Sequence, residues 1–159
     1  MRTNNSKVKN TIISVYFILI VFAILLATVF SAFKDLTNNS TLTFFIVAVS
    51  FAFVIVIVHY ISRYFEYDSD GVKVVVINRG LLLSEKYNYR EHKLEFEKEK
   101  LVSFKIHNYI IFKSLVLHVR DSRGHRRKET FNVTLVTRKK RKYIKQSLSK
   151  MIKTNRKTS

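Results

Sequence analysis

Two long apolar segments stand out near the start of the sequence. Residues 11–33 carry no charged side chain, and residues 42–61 contain a single ionisable group, His59. Helices of these lengths reach roughly 30–35 Å at about 1.5 Å per residue, which spans a hydrocarbon core of about 30 Å. The first segment is also longer than the apolar core of a cleaved signal peptide. The pattern therefore predicts two transmembrane helices joined by a short external loop at residues 34–41.

Small residues recur at every fourth position in both apolar segments. Side chains at this spacing share one face of a helix and allow two helix backbones to approach closely. Because the loop between the segments is short, we expect the two helices to lie side by side as a hairpin. The predicted contact residues are Ala23, Ala27, Ser31, Ala48 and Ala52.

After residue 62 the hydrophobic period falls to two, which is typical of half-buried β-strands. Leu115, Leu117 and Val119, for example, are separated by Val116 and His118. The connections between such runs are too short for crossover helices, so the strands should pair in an antiparallel sheet. The predicted strands are residues 63–68, 72–77, 81–87, 93–97, 102–106, 115–119 and 131–135, with turns at residues 70–71, 78–80, 97–100 and 121–124.

The last part of the chain changes period again. Ile144, Leu148 and Ile152 fall on one stripe of a helix, and Thr137 is a candidate N-cap. We therefore predict a mainly antiparallel β domain of about seven strands that is followed by one C-terminal amphipathic helix. In residue numbers, the predicted parts are 62–153 for this domain and 154–159 for a flexible tail.

The order of two apolar segments, antiparallel strands and a basic C-terminal helix is similar to that of a known family. Together with segments 67–72, 78–81 and 131–135, this order resembles the bacterial two-span membrane proteins with a pleckstrin-homology-like (PH-like) cytoplasmic domain. The resemblance implies a curved sheet closed at one end by the helix, on a scaffold that binds lipids, peptides or proteins. Phosphoinositide-binding members have basic residues around the first hairpin loop. This chain has the acidic turn 68–71 there, which disfavours inositide recognition.

Charge is distributed unevenly along the chain, which has a formal net charge of +18. Residues 1–10 carry Arg2, Lys7 and Lys9 with no acidic residue, and the chain from residue 62 onward carries 25 Lys and Arg against 10 Asp and Glu. Lys and Arg are enriched in the cytoplasmic flanks of membrane helices. We therefore expect a multi-pass protein of the cytoplasmic (inner) membrane, with residues 1–10 as a cytoplasmic tail and both termini in the cytoplasm.

Two basic clusters mark the candidate binding surface. One surrounds the last predicted hairpin, and the other, residues 138–142, lies at the start of the C-terminal helix. Cations at a helix N-terminus oppose the helix dipole by about 0.3–1 kcal/mol each. Either the helix begins later, or the charge serves an external partner. The candidate residues for binding anionic lipid or a partner are Arg79, Arg123, Arg126, Arg127, Lys128, Arg138, Lys139, Lys140, Arg141 and Lys142.

An up-and-down sheet that begins at the membrane sets the height of each turn. The first turn, at residues 70–71, should lie far from the bilayer, and the turns at residues 78–80, 97–100 and 121–125 should lie near it. In this geometry four arginines rest against lipid headgroups, namely Arg79, Arg123, Arg126 and Arg127. Residues 138–142 lie further off and serve a soluble partner.

Few residues suggest catalysis or metal binding. The chain has no cysteine, only three glycines, and five histidines without the spacing of a metal site. We therefore predict no catalytic residue, metal site or cofactor, and interpret the protein as a non-catalytic, membrane-anchored binding or scaffolding module. The alternatives are an accessory subunit of a transporter or secretion complex, docked through its helical hairpin, and a membrane tether for nucleic acid. The expected partners are anionic lipid headgroups and a protein, with nucleic acid less favoured.

Overall fold

The computed structural model describes residues 1–29, 40–80 and 91–158. The chain divides into two compact units. One is Val8–Tyr60, which we call the helical unit. The other combines Met1–Lys7 with Ile61–Ser159, and we call it the sheet domain. The first residues of the chain therefore belong with its last part, although the whole helical unit separates them in sequence.

Two apolar helices form the helical unit, and each overlaps one apolar segment of the sequence and begins two or three residues before it. Helix α1 is Val8–Val29 and helix α2 is Ser40–Ile61. Over Val8–Leu26, α1 is long and apolar enough to cross a membrane, whereas α2 contains a shorter apolar stretch, Phe45–Ile61. The predicted external loop at residues 34–41 lies outside the described residues, except for its last two positions, which begin α2.

Side-chain exposure follows a stripe along each helix. On α1 the less exposed positions recur every three or four residues, as at Ile12, Leu19 and Ala23. On α2 they include Val47 and Phe51. Many large apolar side chains elsewhere on both helices are exposed, which is a surface that needs lipid or protein to cover it. Of the small residues predicted to mediate helix contact, Ala23 is half-buried, Ala48 and Ala52 are exposed, and the side chains of Ala27 and Ser31 lie outside the described part, so this contact stays a prediction.

Among the described residues, the sheet domain contains seven strands, one α-helix and a short 3-10 helix (Lys98–Lys100), which agrees in outline with the sequence prediction. The strands form a four-stranded and a three-stranded sheet, and every neighbouring pair is antiparallel. The four-stranded sheet contains, in spatial order, β1 (Arg2–Asn4), β2 (Arg63–Asp68), β3 (Lys73–Gly80) and β4 (His92–Glu97). The three-stranded sheet contains β5 (Leu101–Asn108), β6 (Lys113–Arg120) and β7 (Arg126–Asn132), and helix α3 (Arg138–Thr158) follows.

One predicted turn and two predicted strands differ from the structure or fall outside it. The predicted turn at residues 78–80 is part of β3, because these residues stay in register with residues 63–65 of β2. The predicted strand at residues 131–135 starts too late, since β7 begins five residues earlier and ends at Asn132. The predicted strand at residues 81–87 lies outside the described residues.

A β-bulge decides which side chains of β5 face the core. The register with β6 shifts between Leu101 and Ser103. The sequence alternation predicts Val102, Phe104 and Ile106 on one face, but Leu101 joins the core with Phe104 and Ile106 while Val102 does not. A bulge inserts one extra residue into a strand and so inverts the alternation on one side of it.

The core of the sheet domain is one cluster of side chains from both sheets and α3. Tyr67 of β2 and Phe131 of β7 are fully buried, and α3 adds Ile144 and Leu148 as its predicted apolar stripe requires. Burying a side chain of this size stabilises the fold by roughly 1.5–3 kcal/mol. The Tyr67 hydroxyl lies 3.0 Å from Oγ of Ser147, so the polar end of this buried ring has a hydrogen-bond partner on α3.

The predicted N-terminal tail at residues 1–10 contains β1, a strand that the sequence analysis does not predict. This strand pairs antiparallel with β2, with Arg2 opposite Asp68 and Asn4 opposite Glu66. Three residues are too few to show a hydrophobic period, so the sequence pattern gives no sign of the strand. Its position is determined by long-range hydrogen bonds instead.

Asn5 fastens the end of β1 to the start of β2. Its side-chain oxygen accepts the backbone N–H of Phe65 at 2.8 Å, and its side-chain nitrogen donates to the carbonyl of Arg63 at 2.9 Å. Asn5 is only 2% exposed. The residues that lead into α1 and those that leave α2 are therefore held side by side. We call this end of the sheet domain the anchor end, and the opposite end, with the turn at residues 70–71, the far end.

Strand directions decide which turns share the anchor end. β3 ends at the anchor end, and β4 pairs antiparallel with it, so β4 runs towards the far end. The up-and-down sheet expected from the sequence has β4 running towards the anchor end. The direction of β4 and of each later strand is therefore opposite to the expected one. The side chain of Asn78 donates to the backbone oxygen of Asn132 at 3.1 Å, which holds the end of β7 at the anchor end. The turns at residues 97–100 and 121–125 therefore lie at the far end, which corrects the up-and-down geometry expected from the sequence.

Replacing Asn5 by alanine should destabilise the sheet domain, because the Phe65 N–H and the Arg63 carbonyl lose their side-chain partner at a buried site. An unsatisfied buried group costs about 1–3 kcal/mol, and each kcal/mol lowers the Tm of a domain of this size by roughly 4–8 °C. We expect a clearly lower Tm when the detergent-solubilised chain is melted and followed by circular dichroism.

Ser6→Ala is the control for this substitution, because it removes an exposed hydroxyl that donates to the side chain of Asn4 at 2.9 Å. It should leave the Tm almost unchanged. If Asn5→Ala melts at the temperature of the native chain, Asn5 does not hold the two strands together.

Candidate binding surface

The outer face of the four-stranded sheet is electrically balanced. Lys73 Nζ lies 3.2 Å from a carboxylate oxygen of Glu95, and Arg2 Nε lies 2.8 Å from Glu66. Pairs of this kind on an exposed surface contribute only about 0–1 kcal/mol each to stability. Their main effect is on the field outside the domain, because a face with paired charges attracts acidic partners only weakly.

Arg79, a predicted lipid contact, lies at the anchor end of this balanced face. Its guanidinium stands over the Tyr64 ring, 4.7 Å from the ring centroid, where a cation–π contact is favourable. The Tyr64 hydroxyl donates to Glu66 at 2.7 Å. Burial and this hydrogen bond raise the pKa of Tyr64 to about 12. Arg79 is therefore one member of a packed network that also includes Arg2.

The outer face of the three-stranded sheet is basic. Alternation along the strands puts its side chains opposite the buried Leu115 and Leu117. The acidic residue of β7, Glu129, lies on the inner side with Phe131. The predicted binding residues omit four members of this face, among them the cations Lys105 and Arg120, although strand alternation places them with the others. The residues of this basic face are Lys105, His107, His118, Arg120, Arg126 and Lys128.

Arg127 differs from the other cations of the predicted hairpin cluster in its position and its ion pairing. It pairs with Val119 on the inner side and forms an ion pair with Glu129. Glu129 also lies 2.7 Å from Nε2 of His92, so its charge is used within the domain. In the part of the chain that the structure describes, the other three cations of this predicted cluster are exposed and have no carboxylate within 4.0 Å. They are Arg123, Arg126 and Lys128, which we call the hairpin cluster.

The cations at residues 138–142 do occupy the first turn of a helix. α3 begins at Arg138, with no acidic residue in its first turn. The hydroxyl of Thr137 accepts the backbone N–H of Lys140 at 3.4 Å, which is the geometry of the predicted N-cap at a long distance. Of the two explanations for this unfavourable charge, a later helix start is therefore wrong.

Two of these five cations bind carbonyl groups of the sheet domain. Lys140 Nζ donates to the backbone oxygen of Asn4, and Arg141 Nη1 donates to that of Val136 at 2.9 Å. Burial and the neighbouring Arg138 lower the pKa of Arg141. The remaining three are exposed, and we call them the helix-start cluster: Arg138, Lys139 and Lys142.

The two basic clusters lie at opposite ends of the sheet domain. The helix-start cluster is near the anchor end, because Lys140 contacts Asn4, the residue before Asn5. The hairpin cluster surrounds the turn at residues 121–125, at the far end. The sequence-based geometry expects the opposite arrangement, because it directs β4 towards the anchor end, whereas β4 pairs antiparallel with β3 and runs towards the far end.

An open groove of about 410 Å³ runs between β5 and the second half of α3. Phe104 and Ile152 line it with apolar surface, and Lys153, Arg156 and Lys157 add three cations. An acidic segment with an apolar side would match both properties. The groove therefore extends the basic surface with a place where apolar side chains can be buried.

Residues 1–29, 40–80 and 91–158 contain no group of three potential metal-ligating side chains. Comparisons of the chain with known protein families, with curated proteins and with solved structures gave no match. The charged and apolar surfaces described above are therefore the features from which a function is inferred.

Tyr64→Phe should make the thermal stability less sensitive to alkali. The folded pKa of Tyr64 is about 12, whereas an unfolded tyrosine titrates near pH 10. The stability that the neutral hydroxyl contributes is therefore fully present below about pH 10 and is lost as the pH rises through about 12. We expect the Tm difference between the native chain and Tyr64→Phe to shrink over this range.

Tyr143→Phe removes an exposed hydroxyl and controls for the general effect of losing one tyrosine. The measurement is the Tm of each detergent-solubilised variant at a series of alkaline pH values. A Tm difference for Tyr64→Phe that stays constant or widens across that range would contradict the raised pKa.

Proposed function

We propose that the chain is a non-catalytic binding or scaffolding module that a two-span helical hairpin holds at the cytoplasmic face of a membrane. One observation carries the proposal: β1, which precedes α1, pairs with β2, which follows α2. The chain therefore enters and leaves the helical unit at one end of the sheet domain. Apolar helices that leave a domain and return to the same end cross a bilayer an even number of times, so two spans fit this geometry and one does not.

The two helices have properties that support this anchor. α2 has 22 residues, like α1, and a helix of that length reaches roughly 33 Å. The exposed phenylalanines along both helices, among them Phe17, Phe22, Phe45 and Phe53, would meet lipid. The four-stranded and three-stranded sheets with a helix after them also support the PH-like architecture that the resemblance implies.

The opposite positions of the two basic clusters support a division of roles. The helix-start cluster lies near the anchor end, where anionic headgroups would attract each cation by about 1 kcal/mol. The hairpin cluster lies at the far end. On the proposed anchoring it is separated from the headgroups by more than the screening length of about 8 Å at physiological salt, so its attraction to lipid is weak. We assign the helix-start cluster to lipid and the hairpin cluster to an acidic soluble partner, the reverse of the sequence-based expectation.

The topology can be tested with single cysteines, since the native chain has none. Asn39 lies between the two apolar segments, and Ser122 lies in the turn at residues 121–125, at the far end of the sheet domain. In intact cells, an impermeant maleimide should label N39C and should label S122C only after the membrane is permeabilised. Labelling of S122C but not N39C would mean the opposite orientation, and equal labelling of both in intact cells would exclude two spans.

The division of roles can be tested with two triple variants that remove the same charge. The full chain in nanodiscs of neutral lipid is titrated with a fluorescent oligoglutamate peptide, and binding is followed by anisotropy. Arg123→Gln, Arg126→Gln and Lys128→Gln together should weaken binding by about tenfold, given roughly 0.5 kcal/mol from each exposed pair.

The matched control is Arg138→Gln, Lys139→Gln and Lys142→Gln together, which should weaken binding much less. Added salt should weaken peptide binding to the native chain. If the two triple variants lose affinity equally, the peptide responds to net charge alone, and the hairpin cluster is not a specific partner site.

A further inference from the structure

The loop between β5 and β6 exposes an unusual run of apolar side chains. Tyr109 is 58%, Ile110 102% and Ile111 59% exposed. The turn is tight, because the backbone N–H of Tyr109 donates to the carbonyl of Phe112 at 2.8 Å. The two strands keep a continuous register from the pair Ser103 and His118 up to the turn, so the isoleucines are presented on a regular hairpin.

This run is exceptional within the sheet domain. Among the described residues of that domain, the exposed large apolar side chains are these three, Val72 in the far-end turn, and Tyr143 on α3. Single exposed apolar residues are common on soluble surfaces, whereas a contiguous group indicates contact with lipid or protein. Tyr109 also stacks between the rings of His107 and Phe112, with centroid distances of 5.9 Å and 6.4 Å. The loop therefore carries an aromatic group beside two exposed isoleucines.

The loop lies at the anchor end of the sheet domain. Lys113, the first residue after it, accepts the backbone N–H of Val133 through its carbonyl at 2.9 Å. The neighbouring Asn132 bonds to Asn78, whose side chain also donates to the carbonyl of Tyr64 at 2.9 Å. This short chain of contacts links the loop to the start of β2, where the chain arrives from α2. The exposed isoleucines therefore share one end of the domain with both connections to the apolar helices.

The charges around the loop match a lipid surface. The two strands that carry it, residues 101–108 and 113–120, contain no acidic residue. Lys105 and Lys113 lie on the strands that flank the tip. An apolar tip with an aromatic ring and a basic collar is suited to the boundary between headgroups and acyl chains, where apolar groups are buried and cations meet anionic lipid.

We propose that residues 109–112 insert into the surface of the bilayer that holds the helical unit, as an additional contact of the sheet domain with lipid. This inference rests on the proposed membrane anchoring. Lipid is the expected occupant because the loop shares the anchor end with the connections to both apolar helices. The insertion would restrict rotation of the sheet domain about its two connections to the apolar helices. It would thereby fix the direction in which the basic face of the three-stranded sheet points.

The test uses the full chain, reconstituted into vesicles that contain phosphatidylcholine and phosphatidylglycerol. A single cysteine replaces Ile110, and it is labelled with a small environment-sensitive fluorophore. The label on I110C should emit at shorter wavelength than in water and should lose intensity when lipids with a spin label near the headgroup are included. V72C is the matched control, because Val72 is a similarly exposed apolar residue (82%) in the far-end turn. Its label should remain water-exposed and unquenched.

A third variant separates this inference from the proposed anchoring. The label on I18C, within α1, should be quenched by lipids that carry the spin label deep in the acyl chain. If I18C is quenched while I110C behaves like V72C, the loop insertion is wrong and the membrane anchor stands. If I110C is shielded from water but not quenched, protein rather than lipid covers the loop, and the proposal is again wrong. If I18C is not quenched, the anchoring itself fails, and the insertion fails with it.

Discussion

Three residues at the start of the chain pair with a strand that begins beyond the second apolar helix, and most features of the sheet domain depend on this pair. Closing a chain segment of this length costs roughly 3–4 kcal/mol in entropy for a flexible loop. The backbone bonds of β1 with β2 and the buried side chain of Asn5 offset that cost. Two helices that already lie together would reduce it further, because they bring the ends of the segment close before the strands pair.

The same pairing gives the domain two distinct ends, and its charges are arranged with respect to them. On the four-stranded sheet, acids and bases neutralise each other through short pairs such as Lys73 with Glu95. On the three-stranded sheet and α3, cations outnumber acids, and the described acidic group of β7 is held by Arg127 and His92. The domain therefore has a balanced side and a basic side, and its own acidic residues do not neutralise the basic side.

The cations at the start of α3 illustrate how a locally unfavourable pattern is accommodated. Cations there oppose the helix dipole, yet Lys140 and Arg141 donate to the carbonyl groups of Asn4 and Val136. These contacts tie the helix to β1 and to the turn that precedes it. Part of the unfavourable charge thus stabilises the junction between α3 and the N-terminal strand, and only the exposed remainder is available to a ligand.

The sequence predicts those parts of the fold that a local pattern encodes. Uninterrupted apolar runs predict α1 and α2, and the stripe with Ile144 and Leu148 predicts the buried face of α3. The prediction fails where one distant contact decides the outcome. β1 shows no periodicity and is held by its contacts with β2, including the hydrogen bond from the Phe65 N–H to the side chain of Asn5. The pairing of β3 with β4 determines at which end of the domain each basic cluster lies. The residues around Arg123 and Arg138 do not predict this pairing, because it forms elsewhere in the chain.

The short N-terminal strand also protects a sheet edge. Without residues 1–7, β2 would present a row of unpaired N–H and C=O groups beside its paired side, and such an edge readily joins a strand from another molecule. A fragment that starts at residue 62 would therefore tend to self-associate through β2, whatever the intact chain does. β1 is itself an edge, but it has only three residues, of which Arg2 is charged and Thr3 and Asn4 are polar. The sheet thus ends on a strand that is too short and too polar to recruit a neighbour.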